Sequence, residues 1–188
     1  MSDVVVKICG LTREQDVDAA VEAGANLLGF VCVDDSARGV PLERARQLAA
    51  RAPAGVHTVA VLIGDVERVP DGFDLAQVYG RPGSFERTIL AVRGAPPHDV
   101  PDGVPILLDL ARDSIPDEAT LRAHWARGAG VRAPVLLAGS LDSANVGEAV
   151  AAARPWGVDT ARGVETAPGI KDATLIRRFV AAARGEAA

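Results

Sequence analysis

The chain alternates short apolar runs with stretches of helical periodicity. Val4-Val5-Val6 is a β-branched run that reads as a buried strand, and it leads into Lys7-Ile8-Cys9-Gly10-Leu11-Thr12. Thr12 and Gln15 have capping-box spacing, so a helix is expected over 12–22, with Val17, Ala20 and Val21 on one face and Gly24 placed to end it. Residues 26–33 are apolar on both sides, as in parallel strands covered on both faces. After a polar loop over 34–39, Pro41 opens a second helix with Leu42, Ala45, Leu48 and Ala49 inward, and 56–63 reads as a third strand. This βαβαβ order predicts a parallel α/β fold.

The middle changes character. Residues 74–79 and 87–92 read as strands four and five, but the connections over 64–72, 80–86 and 94–103 are rich in Gly and Pro. They are too short for full crossover helices, which normally take a dozen or more residues. Either turns replace three outer helices or the strands here differ from this reading. Alternation then returns: a strand over 104–108 ending at Asp109, a helix over 116–127 with Leu121 and Trp125 inward, and a strand over 135–138 ending in Gly139-Ser140. Asp142 or Ser143 caps a helix with Val146, Ala149 and Val150 inward, and 157–160 is the eighth strand. Asp172 caps the last helix, whose stripe is Leu175, Ile176, Phe179 and Val180. Eight strands and at least five helices predict one (β/α)8 TIM barrel over 1–188, small beside the usual ~250 residues. A flavodoxin-like open sheet has fewer strands than this.

Composition narrows the partners. Net charge is −5 with no basic cluster, which argues against nucleic acid and anionic membrane. No apolar run approaches the ~20 residues of a membrane span, and the first residues lack a signal peptide's basic start and apolar core. A cytoplasmic protein is expected, its two cysteines reduced. His57, His98 and His124 make no ligand spacing with the cysteines, so neither a metal site nor a cofactor is expected.

Candidate chemistry gathers at strand ends, where parallel α/β folds bind ligands. Cys9 closes the first strand and reads as a reactive thiol or as a small buried hydrophobe. Asp109, after an apolar run, reads as a functional carboxylate or as a cap. The turns Ala138-Gly139-Ser140 and Arg162-Gly163-Val164-Glu165 lie one strand apart, where barrels close backbone N–H groups on phosphate. Arg38, in Ser36-Ala37-Arg38, is either a solvated loop residue or a cation aimed at an acidic group.

These segments together carry a family resemblance. Lys7 to Thr12 resembles the N-terminal motif of phosphoribosylanthranilate isomerase, an enzyme of tryptophan synthesis. Ala23-Gly24-Ala25, Leu28-Gly29-Phe30, Ser36-Ala37-Arg38 and Leu107-Leu108-Asp109 continue the match. So do Leu136 to Gly139, Asn145-Val146, Val158-Asp159, Gly163-Val164-Glu165 and Pro168 to Asp172. The resemblance implies a barrel that performs an Amadori rearrangement, with Asp109 as general acid and Cys9 as general base. It also implies a substrate site drawn from Lys7, Arg38, Gly139, Ser140, Asp159, Arg162, Gly163 and Val164, with phosphate on the Gly139 and Gly163-Val164 backbone and Arg38 facing the anthranilate. A monomer or homodimer acting on a small phosphorylated molecule is expected.

The chain departs from the family at several points. Residues 110–115 replace its Gly-Gly-Thr-Gly, Gln77-Val78-Tyr79-Gly80 replaces Gln-Leu-His-Gly, Ser140 replaces a glycine, and Ala161-Arg162 replaces Ser-Ser. Two other readings use the same residues: a related barrel enzyme turning Cys9 and Asp109 on another phosphorylated or acidic substrate, and a barrel that binds a sugar phosphate without turnover. Cys32, near the end of the second strand, is expected to be a packing residue, not a disulfide partner of Cys9.

Overall fold

The apolar runs pair edge to edge as parallel strands. The computed structural model describes residues 4–94, 100–110 and 116–186. The strands are β1 (Val5–Cys9), β2 (Leu27–Val31), β3 (His57–Ile63), β4 (Leu75–Tyr79), β5 (Thr88–Val92), β6 (Ile106–Leu108), β7 (Val135–Leu137) and β8 (Gly157–Thr160). They hydrogen-bond in sequence order, and β8 returns to β1 with Lys7 opposite Asp159, closing the barrel. The expected (β/α)8 architecture is therefore present, with strand ends trimmed by a residue or two.

Among the described residues five helices lie outside: α1 (Glu14–Glu22), α2 (Leu42–Ala49), α3 (Glu118–Ala129), α4 (Val146–Ala153) and α5 (Ala173–Arg184). Side-chain parity sorts the strand residues. Ile8, Leu28, Phe30, Ala60, Val78, Ile106 and Val158 face the helices, while Leu27, Val59, Ile89, Leu107 and Leu136 fill the barrel's interior. The best-formed helix is α5: Asp172 accepts from Thr174 N and Leu175 N at 2.8 and 2.9 Å, and Ile176, Phe179 and Val180 bury the stripe.

The connections β3–β4, β4–β5 and β5–β6 carry no helix among the described residues. Loop side chains cover the sheet there. Val69 and Phe73 join Ala76, Val78 and Phe30 in one apolar cluster, with the Phe30 and Phe73 rings 6.1 Å apart. One buried Phe contributes roughly 1.5–3 kcal/mol, so a few loop residues do part of a helix's work. Residues 95–99 lie outside the described residues, as do 111–115, which hold most of the loop that departs from the family.

Two local expectations are corrected, and one element is added. Thr12 and Gln15 form no capping box: the N-cap of α1 is Arg13, without a side-chain cap, and the Thr12 hydroxyl donates to Gly169 O at 2.5 Å. That partner is distant in sequence and outcompetes the local one. Leu42 opens α2 on its exposed side, because the buried face is set by Ala45, Leu48 and Ala49. After β8 the chain makes a 3-10 turn (Arg162–Val164) and then a hairpin of β9 (Glu165–Ala167) and β10 (Ile170–Lys171) that the pattern of residues does not announce. Gly169 at its tip meets Ala37 O and Thr12, so the hairpin leans over the loops that follow β1 and β2.

Candidate active site

On β1, β4, β6 and β8 the inward residues near the carboxyl ends of the strands are mostly polar. They are Lys7 and Cys9 on β1, Gln77 and Tyr79 on β4, Asp109 just past β6, and Asp159 on β8. A cavity of about 390 Å³ opens above them, lined by Cys9, Arg38, Asp109, Gly139, Ser140, Asp159, Arg162 and Gly163 among others. Eight of the ten residues expected at the site thus share one cavity. The other two sit beneath it: Lys7 is wholly buried and Val164 packs into the core.

Cys9 and Lys7 converge over Gly29, which stands opposite Cys9 in the neighbouring strand. A Cβ at Gly29 would lie 2.9 Å from Cys9 Sγ and 3.0 Å from Lys7 Nζ, so only glycine leaves room for both. Lys7 Nζ donates to Asp159 Oδ1 at 2.7 Å with neither side chain more than marginally exposed. Burial works against the lysine's charge, but Asp159 and Cys9 outweigh it and its pKa is raised. Burial pushes the Asp159 carboxyl up while Lys7 pulls it down. At 2.7 Å the ion pair is the form we assign. The Cys9 thiol is pushed up by burial and by Asp159, with Lys7 opposing, so at rest it is a neutral thiol.

A second ionic group stands beside the first. Arg38 grips Glu165 with both ends of its guanidinium (Nε to Oε1 2.8 Å, Nη2 to Oε2 2.6 Å), and Lys171 Nζ donates to Glu165 Oε1 at 2.7 Å. Burial alone would raise the Glu165 carboxyl; the two cations outweigh it and hold it below its ordinary value. Arg38 reaches the cavity wall already anchored, as a rigid donor edge.

Across the mouth, Asp109 Oδ1 accepts from Leu110 N at 2.9 Å, and Oδ2 accepts from Tyr79 Oη at 2.8 Å, with Arg93 Nε at 3.5 Å. Arg93 also stacks over the Tyr79 ring, 4.5 Å from its centroid. The turns after β7 and β8 lie on the short arc between β6 and β1. Gly139 and Ser140 both have positive φ, and their N–H groups have no acceptor among the described residues. A Cβ on Gly163 would strike Leu141 O at 2.1 Å, so the chain passes there only as glycine. Arg162 Nη2 lies 3.4 Å from Ser140 Oγ and joins the two turns. The long arc is apolar, with Val31 at the end of β2, Val33 just after it, and Val61 and Ile63 from β3.

Tyr79, Arg93 and Gln77 were not singled out as site residues in the sequence. The signal that finds them is parity: counting by twos along each strand from an inward residue places Gln77 and Tyr79 inside, and Arg93 follows Ala91. Cys32 has the opposite parity to Val31, packs on the outer cluster, and donates weakly to Phe30 O at 3.7 Å. Burial pushes its thiol up to about 11, and both cysteines are free. Among the described residues no group of His, Cys, Asp and Glu has metal-binding geometry, and no helix is long and apolar enough to cross a membrane.

Residues 121–182 match the family model of N-(5'-phosphoribosyl)anthranilate (PRA) isomerase. The N-(5'-phosphoribosyl)anthranilate isomerase of Chromohalobacter salexigens is 37% identical over 93% of this chain and 92% of its own length. The crystal structure of phosphoribosyl anthranilate isomerase from Thermotoga maritima superimposes with a TM-score of 0.79 at 27% identity, covering 97% of this chain and 99% of that one. A phosphoribosyl anthranilate isomerase in complex with reduced 1-(o-carboxyphenylamino)-1-deoxyribulose 5-phosphate superimposes with a TM-score of 0.74 at 28% identity and the same coverage.

Proposed function

The chain belongs to the N-(5'-phosphoribosyl)anthranilate isomerase family, and from that premise we infer that it catalyses the Amadori rearrangement of this substrate with Asp109 as acid and Cys9 as base. The observation that carries the assignment of roles is the cavity itself. The Cys9 thiol at the end of β1 and the Asp109 carboxyl just past β6 face each other across it, with the two open turns between them on the short arc, while the Asp159 carboxyl is engaged by Lys7.

In this reading the substrate's phosphate lies on the Gly139, Ser140 and Gly163 turns, where the Gly139 and Ser140 N–H groups, without an acceptor among the described residues, and Arg162 meet an anion. The aromatic ring lies along Val33, Val61 and Ile63, with its carboxylate toward Arg38. Asp109 gives its proton to the ribose ring oxygen as the C1–O bond breaks, and the nitrogen lone pair forms the iminium. Cys9 first loses its resting thiol proton to solvent, beside the Lys7 ammonium, and as the thiolate takes the C2 proton. The electron pair moves to C1=C2 and neutralises the iminium, giving an enolamine that becomes the C2 ketone. Lys7 stands below Cys9 as the positive charge that receives the thiolate, so it serves the base without touching substrate. The trailing end of this cycle returns one proton to Asp109 and removes one from Cys9, so no cofactor is consumed.

The test is turnover of N-(5'-phosphoribosyl)anthranilate by the purified protein and by two variants. Cys9→Ala and Asp109→Asn should each lower kcat by about 10²-fold or more, the scale of losing a general base or acid, with a cooperative melt retained. Wild-type protein without turnover, while inorganic phosphate still binds, would favour a binding-only barrel. Near-normal kcat in either variant removes that residue from the chemistry.

A further inference from the structure

We propose that Tyr79 is a positioning residue for the acid, holding Asp109 by a hydrogen bond that persists in both of the carboxyl's protonation states. The proposal rests on the assignment of Asp109 as acid.

Three groups meet the Asp109 carboxyl among the described residues. Leu110 N–H is a fixed donor, and Arg93, with Nε 3.5 Å from Oδ2, is a charged neighbour. Neither can accept, so both serve only an oxygen with a free lone pair. A phenol differs: its O–H rotates, so it can give to a carboxylate or receive from a carboxylic acid. When the proton sits on Oδ2, a fixed donor aimed at that oxygen is opposed by it, whereas a partner that can turn round keeps its hydrogen bond whichever oxygen carries the proton. Tyr79 Oη stands 2.8 Å from Oδ2 and, among the described residues, is the neighbour with that property.

The side chain is held for this purpose from several sides. Its ring packs against Cys9, Val31 and Val61, on the base's side of the mouth, and Arg93 covers it at 4.5 Å. The charged and titratable groups facing it are Asp109 from β6, Arg93 from the end of β5, Asp159 from β8 and Cys9 from β1. Burial first, then the nearby Asp109 and Asp159, push the phenol well above its ordinary value, so it keeps its proton throughout the working range. An imidazole at this place would titrate near ~6.5 and, once charged, could only give. A tyrosine therefore adds no titration of its own to the acid arm in the neutral range.

The experiment compares kcat, KM and pH profiles of wild type, Tyr79→Phe, Tyr79→His and Asp109→Asn. Tyr79→Phe keeps the ring, its packing and its stacking on Arg93. It should lower kcat about tenfold or more with KM within about twofold. Tyr79→His should recover part of kcat at pH 8 and gain a new acidic limb near ~6.5, below which activity falls, a limb that wild type and Tyr79→Phe lack. Combining Tyr79→Phe with Asp109→Asn should be no worse than Asp109→Asn alone, since the two act as one unit. Wild-type kcat in Tyr79→Phe, or a Tyr79→His profile without the new limb, overturns the proposal while leaving the acid assignment standing. A fully active Asp109→Asn overturns both.

Discussion

The two sides of the barrel mouth hold their reacting groups in opposite ways. Cys9 stands over a dry, tightly paired set of charges: Lys7 with Asp159, and Lys171 with Glu165 and Arg38. The strands around it are backed by α1, α5 and the hairpin that ties Thr12 and Arg13 to the chain's last quarter. Asp109 is instead held by one phenol, one backbone N–H and a half-exposed arginine, next to the sector where outer helices are missing. The difference teaches where each group draws its stability. The base is fixed by buried ion pairs that belong equally to the fold. The acid is fixed by two neutral hydrogen bonds and one loose, partly exposed ion pair at the edge of solvent, which can be altered with the barrel intact.

Removing one ion of each half separates the two most strongly. Asp159→Asn leaves the Lys7 ammonium buried without its counter-charge and should cost about 3–5 kcal/mol. Arg93→Gln, at a partly exposed pair, should cost less than about 1 kcal/mol. Urea titrations of both variants measure this, and equal losses would end the distinction.

A smaller effect concerns the thiol itself. Burial raises Cys9 and Lys7 opposes that rise, so Lys7→Met should move the thiol further up. The rate of Cys9 alkylation should then climb at higher pH than in wild type, and the alkaline rise of kcat/KM should move the same way. An unchanged alkylation profile would mean that Lys7 serves the fold alone.

The smallest effect tests whether α3 steadies the acid side. Arg127 donates to His124 Nδ1 at 2.8 Å, which makes His124 Nε2 the donor to Ala138 O at 2.9 Å, just before the Gly139 turn. Burial holds the imidazole below its ordinary value. A depressed folded-state pKa means the unfolded chain binds the proton first. The contribution is therefore complete above ~6.5 and is lost as pH falls through the folded value. Tm should decline on acidification through this window, and His124→Gln should flatten that part of the slope. An identical slope in the variant would assign the acid sensitivity to the carboxylates.

Strand and helix order were legible because parallel strands buried on both faces must be apolar, and because amphipathic periods mark what packs on them. Gly139, Gly163, Cys9 and Asp109 were legible for a related reason: parallel α/β folds converge their strand ends on one face, so residues at those ends meet. Sequence alone also showed that the middle connections were too short for helices. What it did not determine were contacts between residues far apart in the chain. The Thr12 hydroxyl fits a local cap by its spacing, yet it goes to Gly169, because a hydrogen bond to a carbonyl brought in by the hairpin competes with one to the helix's own N–H groups. Lys7 reads as a binding cation until barrel closure sets Asp159 opposite it and turns both inward. Tyr79 reads as a substituted motif position until β4 and β6 curve round the same mouth and bring its hydroxyl to Asp109. Periodicity is a property of neighbours along the chain, and closure is a property of the whole sheet, so partners across the barrel exist only once the last strand has paired with the first.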